Sequence, residues 1–169
     1  VYDLGSGDGR IVIRAAKKYG ARGIGIEMDQ TLIDKAKKSA QAEDVSHLVE
    51  FRVEDALKTD ISPATVVTLY MLPWFNEAMK PNFQKYLKPG SRIVAHDFGI
   101  EGWTPEESLT ISGDCTSWCT VLLYFVPAKV AGTWQTTAGA LSLTQDFQTI
   151  GGTLGAATIE SAKIKGDQI

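Results

Sequence analysis

The sequence is poor in the residues that build metal sites and disulfide frameworks, with two cysteines and two histidines among 169 residues. Cys115 and Cys119 lie in a Ser/Thr-rich stretch with no second Cys/His pair of zinc spacing, so no metal is expected. They read as two thiols beside a turn, a disulfide being the alternative. Long hydrophobic runs are missing too. The longest apolar stretch, Val121–Ala128, falls far short of the roughly 20 residues of a bilayer-spanning helix, so no membrane-spanning segment is expected. An excess of charge of one sign is also lacking. Lys and Arg number 17 against 20 Asp and Glu, a net charge of −3 with a pI near 5.4, which argues against a nucleic-acid partner needing a phosphate-neutralising surface. The initiator Met is absent, and Val1-Tyr2-Asp3-Leu4 opens inside an apolar strand pattern. The chain therefore reads as a fragment, missing targeting signals carry no weight, and a cytoplasmic setting is the default expectation.

What is present is the balance of a soluble globular protein, 44% apolar residues against 22% charged. Through the first hundred residues, short Val/Ile-rich runs at Val1–Leu4, Gly23–Ile26, Val49–Val53, Thr65–Met71 and Arg92–Ala95 have the composition of buried parallel strands. Helical patterns separate them. Ile11, Ala15 and Tyr19 form one stripe, ended by Gly20. Asp29 is placed to cap a second helix with Leu32, Ile33, Ala36 and Ala40 inward and Asp34 paired with Lys38 outside. Phe75, Met79, Phe83 and Leu87 form a third stripe, which Pro81 is expected to break into two short helices.

This alternation predicts an α/β fold: a Rossmann-like, doubly wound, mainly parallel sheet. Leu109–Ser112 and Thr120–Val126, around a Gly113–Trp118 turn, predict an antiparallel pair on its edge. After a boundary at Pro127-Ala128-Lys129, the composition shifts to seven Thr and six Gly in the last forty residues. Short alternating runs at Ala131–Thr137, Ala140–Asp146, Gln148–Leu154 and Thr158–Lys165 predict a small β-meander. Two domains are expected, 1–127 and an incomplete accessory β-rich module, 128–169.

The chemistry concentrates where Asp3-Leu4-Gly5-Ser6-Gly7-Asp8-Gly9 leaves a strand and enters a helix. Glycines at alternate positions let the backbone turn sharply and approach a ligand. Glu27, ending the second strand with Met28 beside it, is placed to accept both hydroxyls of a ribose. Asp55, with Ala56, follows the third strand and could meet an adenine amino group or simply cap a helix. A dinucleotide fingerprint would need its third glycine at position 10, which is Arg10. Asp3 and Asp8 repel phosphate but suit a cofactor carrying an ammonium and a sulfonium.

Asp-Leu-Gly-Ser-Gly-Asp-Gly, Gly-Ile-Glu and Glu-Asp-Ala in succession resemble the first three motifs of class I, seven-β-strand S-adenosylmethionine-dependent methyltransferases, over roughly residues 1 to 126. The resemblance implies S-adenosylmethionine as cofactor. It places Asp3 by the methionyl amino group, Gly5, Ser6, Gly7 and Gly9 along the methionine and ribose, Glu27 on the ribose hydroxyls, and Asp55 with Ala56 at the adenine. It also sets Tyr70-Met71-Leu72-Pro73 beside the transferred methyl. Thr65–Pro73, Leu87–Val94 and His96-Asp97-Phe98 are similar to a subgroup, bacterial members included, related to protein-lysine methyltransferases of mitochondrial carriers and ATP-synthase subunits. That likeness implies a protein lysine as acceptor.

Methyl transfer from a sulfonium is an in-line displacement, which needs alignment and exclusion of water more than a covalent intermediate. Tyr70, Pro73, Trp74 and Asn76 are candidates for the acceptor mouth, with Tyr70, Pro73 and Asn76 assigned as catalytic. Trp74 could instead pack against the helix, Asn76 could cap it, and His96 and Asp97 could be structural. Two rival functions are a cofactor-binding scaffold or sensor without turnover and a nucleotide-dependent oxidoreductase. The tail from Val130 loosely resembles the start of small lipocalin-like barrels and is expected to serve substrate docking or dimer contact.

Overall fold

The computed structural model describes residues 1–113 and 115–168, without the side chain of Ser161. Asp114, inside the expected turn, and Ile169, at the end of the expected accessory module, lie outside the described residues. Strand β1 (Tyr2–Leu4) runs parallel between β2 (Gly23–Glu27) and β4 (Val66–Leu69). Beyond them lie β3 (Val49–Val53) and β5 (Arg92–His96), also parallel. On the far side β7 (Thr120–Phe125) pairs antiparallel with β5, and β6 (Glu107–Thr110) closes the edge, giving the order β3-β2-β1-β4-β5-β7-β6. This is the predicted doubly wound sheet with an antiparallel edge, β6 beginning two residues before the expected run. Strand order reverses between β1 and β4, which opens a crevice beyond their carboxyl ends.

Leu4, Ile26, Val67, Leu69 and Ile93 are buried in the sheet, and the helices cover it. Helix α1 (Arg10–Tyr19) starts from Gly9 and stops at Gly20, both left-handed. A side chain at Gly9 would also put its Cβ 2.5 Å from the Phe51 ring, so both φ and space require glycine there. This start turns α1 so that Val12, Ile13 and Ala16 face inward rather than the predicted Ile11, Ala15 and Tyr19. Tyr19 is 72% exposed. Helix α2 (Gln30–Ala42) has the predicted cap, Thr31 N donating to the Asp29 carboxylate at 2.7 Å, and buries Ile33, Ala36 and Ala40. Asp34 takes its hydrogen bond from Gln30, one turn before it, at 2.8 Å, and not from the expected Lys38, one turn after. Helix α3 (Pro73–Tyr86) is continuous across Pro81, against expectation. Burial of Phe75, Met79 and Phe83 against the sheet outweighs the one backbone N–H that proline withholds.

Cys115 and Cys119 form a disulfide, with Cα atoms 5.9 Å apart, which corrects the reading of two free thiols. Spacing alone could not show that the β6–β7 connection folds its two ends together. The tail forms an open antiparallel meander, β8 (Gly132–Thr136), β9 (Gly139–Asp146), β10 (Thr149–Leu154) and β11 (Ala157–Lys163), in the order β11-β10-β9-β8. Leu143, Ile150 and Ile164 form its small core. The sheet stays open, unlike the barrel its first residues resemble. Phe147, in the β9–β10 turn, instead belongs to the core of the larger sheet.

Candidate cofactor and acceptor site

The loop after β1 is folded back on β2 by its own backbone. Gly5 N and Ser6 N both donate to Ile26 O at 2.9 Å, and Gly9 N donates to Ser6 O at 2.9 Å. Gly5 has φ +77°, and a Cβ there would sit 2.4 Å from the Met71 sulfur arriving from the end of β4. Asp3, Gly5, Ser6, Gly7, Asp8 and Tyr70 thereby meet on one cleft of about 390 Å³, within the size range of small-ligand sites. A larger depression, of about 490 Å³, lies between α1 and α2. It holds none of the strand-end residues, and the ion pairs Arg10–Asp8 and Lys17–Glu43 occupy its rim, so we assign the site to the smaller cleft.

Asp3 is 1% exposed. Its Oδ1 accepts from Thr68 Oγ1 at 2.6 Å, while Oδ2 is buried with no partner among the described residues, as is Ser6 Oγ. Burial pushes the Asp3 pKa up to about 6, the Thr68 hydrogen bond opposes this, and the Glu27 charge adds to it. A buried carboxylate oxygen without a donor is costly, and a cationic ligand group in the cleft would satisfy it. The site therefore fits a cofactor with an ammonium, on grounds of its own geometry.

Asp8 behaves differently from Asp3. Arg10 grips its carboxylate with Nε at 2.9 Å and Nη2 at 2.8 Å, and Lys35 Nζ stands 3.4 Å away. The Arg10 hydrogen bond holds the Asp8 pKa well below the usual range. The expectation that Asp3 and Asp8 together make the loop anionic is thus corrected, since two cations neutralise Asp8. The carboxylate left to the cleft is that of Asp3, with the Glu27 charge acting on it from the end of β2.

Glu27 stands at the end of β2. Its Oε2 accepts from Gly7 N at 3.0 Å and its Oε1 from Met28 N at 2.8 Å and Asp29 N at 3.2 Å. One carboxylate ties the glycine loop to the start of α2. Met28 offers its backbone N–H there, and its side chain is exposed. Glu54 N donates to Glu27 O at 3.2 Å, which sets the end of β3 beside the end of β2. There Asp55 caps a turn and not the helix of the alternative reading, since no helix lies between β3 and β4 among the described residues: Oδ1 accepts from Leu57 N at 3.0 Å and Oδ2 lies 3.3 Å from Lys58 Nζ. Ala56 is buried next to it. Gly9 turns away from the cleft towards Phe51 and Ala36.

At the end of β4, Tyr70, Leu72 and Trp74 are 59%, 57% and 60% exposed, with Pro73 exposed among them as the first residue of α3. The Tyr70 ring lies 4.0 Å from that of His96, centroid to centroid. Asn76 is not part of this mouth. It is fully buried, and its amide donates to Phe98 O at 2.9 Å and Gly99 O at 3.4 Å, because the inward face of α3 points it at the loop after β5. Asp97 is structural: its Oδ1 accepts from Thr120 N and its N–H donates to Thr120 O, both at 2.8 Å, pinning β7.

Sequence reasoning missed Thr68, Arg10, Lys35 and the contact of Met71 with Gly5. Arg10, two positions after Asp8, was a readable signal. Thr68 was not, because its partnership with Asp3 depends on strand register.

The strand order and the glycine loop feeding a cleft at the β1/β4 reversal define a class I S-adenosylmethionine-dependent methyltransferase. More narrowly, the family profile described as the ANTKMT methyltransferase domain matches residues 3–107, and the chain belongs to that family. It is 40% identical over 127 residues to a protein-lysine N-methyltransferase of Saccharolobus islandicus (strain REY15A), covering 75% of this chain and 78% of that protein. Identity to the adenine nucleotide translocase lysine N-methyltransferase of Mus musculus is 32% over 104 residues, 61% of this chain and 45% of that protein. The chain thus spans a little under half the length of that relative. Among solved structures, an RNA methyltransferase from Salinibacter ruber, in complex with S-adenosyl-L-homocysteine, superposes with a TM-score of 0.71 at 49% identity, covering 76% of this chain and 81% of that one.

Proposed function

We propose that this chain methylates the side-chain amines of protein lysines, with Asp3, Ser6 and Glu27 holding the cofactor and Tyr70 and Pro73 bordering the acceptor. The observation that carries the cofactor side is the buried, unpartnered Oδ2 of Asp3 on the cleft floor. When bound, S-adenosylmethionine supplies an electrophilic methyl group. Asp3 would pair with the ammonium of that cofactor, Ser6 Oγ would offer a further polar contact, and the lone pair left on Glu27 Oε2 would accept from a ribose hydroxyl. Asp55 and Ala56 close the adenine end.

A lysine must lose its proton before its nitrogen can attack. The exposed apolar rim of Tyr70, Leu72, Pro73 and Trp74 removes water from the amine, which lowers its pKa and favours the neutral form. No dedicated base is required. The lysine reading draws its support from the Saccharolobus islandicus and Mus musculus relatives, both lysine methyltransferases. RNA is the second reading, because the Salinibacter ruber relative is described as an RNA methyltransferase. The net charge of −3 and the pairing of Arg10 with Asp8 weigh against it.

The test is transfer of radiolabelled methyl to poly-L-lysine and to a cell extract split between ribonuclease and protease treatment. Label recovered as methyl-lysine after acid hydrolysis supports the proposal. Label lost to ribonuclease moves the acceptor to RNA. Tight binding of S-adenosylhomocysteine with label in neither fraction establishes the scaffold reading.

A further inference from the structure

The segment 97–106 joins β5 to β6, and Phe98 N donates at 2.7 Å to the carbonyl of His96, whose ring lies 4.0 Å from that of Tyr70. Its middle is gripped from α3. Asn76 donates to the carbonyls of Phe98 and Gly99, the Glu77 carboxylate accepts from Glu101 N, and Lys80 Nζ donates to Glu101 O. Tyr124 OH on β7 accepts from Ile100 N at 3.3 Å. The far end is held by the meander.

Gln148 is 4% exposed, and its Oε1 accepts from Thr104 N at 2.8 Å. Next to it, the Phe147 ring stacks on Trp103 with centroids 4.6 Å apart, and Trp103 in turn lies 5.2 Å from the ring of Tyr124. Lys80 Nζ sits 4.7 Å over the Phe147 ring, so one cation ties the meander to α3 and the loop together. Phe147 has φ +53°, as the first central residue of this two-residue hairpin requires, and a bulky residue in that position costs more than the glycine or asparagine such turns favour. Gln145 braces that turn by donating to Phe147 O at 2.7 Å and to Ala128 O at 2.8 Å. The hairpin accounts for the positive φ at Phe147 but not for the ring contact with Trp103 or the hydrogen bond from Thr104 N.

We infer that Phe147 and Gln148 are positioning residues, and that the meander is a strut that sets the loop 97–106 and thereby the acceptor side of the cleft. The inference rests on the methyltransferase reading and assigns the module 128–169 a role in acceptor recognition. The cofactor residues Asp3 to Gly9 and Glu27 take no hydrogen bond from the meander among the described residues. Acceptor and cofactor handling therefore separate in the variants.

Two variants test this in the full chain. Gln148→Met keeps the volume and loses the acceptor oxygen; Phe147→Leu keeps the apolar bulk and loses the aromatic stack. Hydrogen exchange should show the Thr104 amide exchanging roughly tenfold faster in Gln148→Met, with the glycine-loop amides unchanged. With poly-L-lysine as acceptor, KM should rise roughly fivefold in both variants while kcat and the S-adenosylhomocysteine Kd stay within about twofold. Gln148→Glu, which keeps an oxygen for Thr104 N, should restore the parent KM. Unchanged exchange at Thr104, an unchanged acceptor KM, or a parallel loss of S-adenosylhomocysteine affinity overturns the inference. If the parent chain leaves poly-L-lysine unmethylated, the lysine reading fails, and exchange across 98–104 alone decides the role of the strut.

Discussion

Thr68 on β4 and Asp3 on β1 are register partners in the parallel pair, and the Thr68 hydroxyl donates to Asp3 Oδ1 at 2.6 Å. One carboxylate oxygen is thereby fixed and the other is left buried without a donor among the described residues. The arrangement holds a charge acceptor in place before its ligand arrives. Keeping Asp3 ionised in the free protein at neutral pH costs about 2 to 3 kcal/mol, by the shift of its pKa from the ordinary carboxylate value to about 6.

The sign of the pH dependence follows from that shift. The folded pKa lies above the unfolded one, so the stability contributed by protonated Asp3 is complete below the unfolded value and is lost as pH rises through about 6. An ammonium ligand selects the ionised form. Affinity for S-adenosylhomocysteine should therefore rise about tenfold between pH 5 and pH 7 and then level off, with proton release seen as a buffer-dependent binding enthalpy near the midpoint. A flat titration across this range would remove Asp3 from the ammonium site.

Asp3→Asn separates stability from binding. Replacing the buried charge should raise the melting temperature of the free protein, while losing the ionic partner should weaken S-adenosylhomocysteine by about 2 kcal/mol or more. The pH dependence should vanish with it. A variant that melts lower and binds unchanged would contradict both halves.

Thr68→Val keeps the shape and removes the donor. The hydrogen bond lowers the Asp3 pKa, so its loss should move the midpoint of the binding-pH curve upward, and a midpoint reaching about 7 weakens binding at pH 7 about twofold. Titration of the variant beside the parent measures this directly. A midpoint that stays in place would show that burial alone sets it.

The legible part of this protein was whatever its local sequence determines. The glycine loop announces itself because Gly5 and Gly9 adopt φ +77° at the exit of an apolar strand. Asp29 caps α2 through its own neighbour Thr31. The illegible part depends on packing between distant segments. The inward face of α1 was misread because the left-handed start at Gly9 sets the helix rotation. Pro81 looks like a breaker until the burial of Phe75, Met79 and Phe83 on both sides of it is known. Asp8 reads as free charge until Lys35, a helix away, closes on it. The stack of Phe147 on Trp103 has no sequence signature, and neither does the removal of Asn76 from the mouth.

Glu27 carries two duties, and its variants should divide them. Glu27→Ala loses the ribose acceptor together with the brace on Gly7, Met28 and Asp29, and should weaken S-adenosylhomocysteine by about 1–3 kcal/mol. Glu27→Gln retains one acceptor oxygen and should fall between that variant and the parent. Calorimetric affinities equal to the parent in the alanine variant would exclude a ribose role.

The Cys115–Cys119 bond closes a short segment that presents Trp118, whose ring lies 5.0 Å from that of Phe98. So small a ring restrains little unfolded-chain entropy, about 2 kcal/mol by loop-closure reasoning, and it lies far along the sheet from the glycine loop. Reduction with a dithiol, or the double variant Cys115→Ser/Cys119→Ser, should therefore lower the melting temperature by a few degrees. The S-adenosylhomocysteine Kd should stay within about twofold, because nothing on the cleft floor depends on the bridge. Trp118 should respond, its emission shifting to the red as the ring leaves Phe98 for water. Thiol titration of protein taken from a reducing cytoplasm gives the complementary test, since such compartments keep thiols reduced. Two titratable thiols together with parent-like cofactor affinity would mean that the bridge serves the outer wall beside Phe98, whereas a collapse of cofactor binding on reduction would place its role in the fold as a whole.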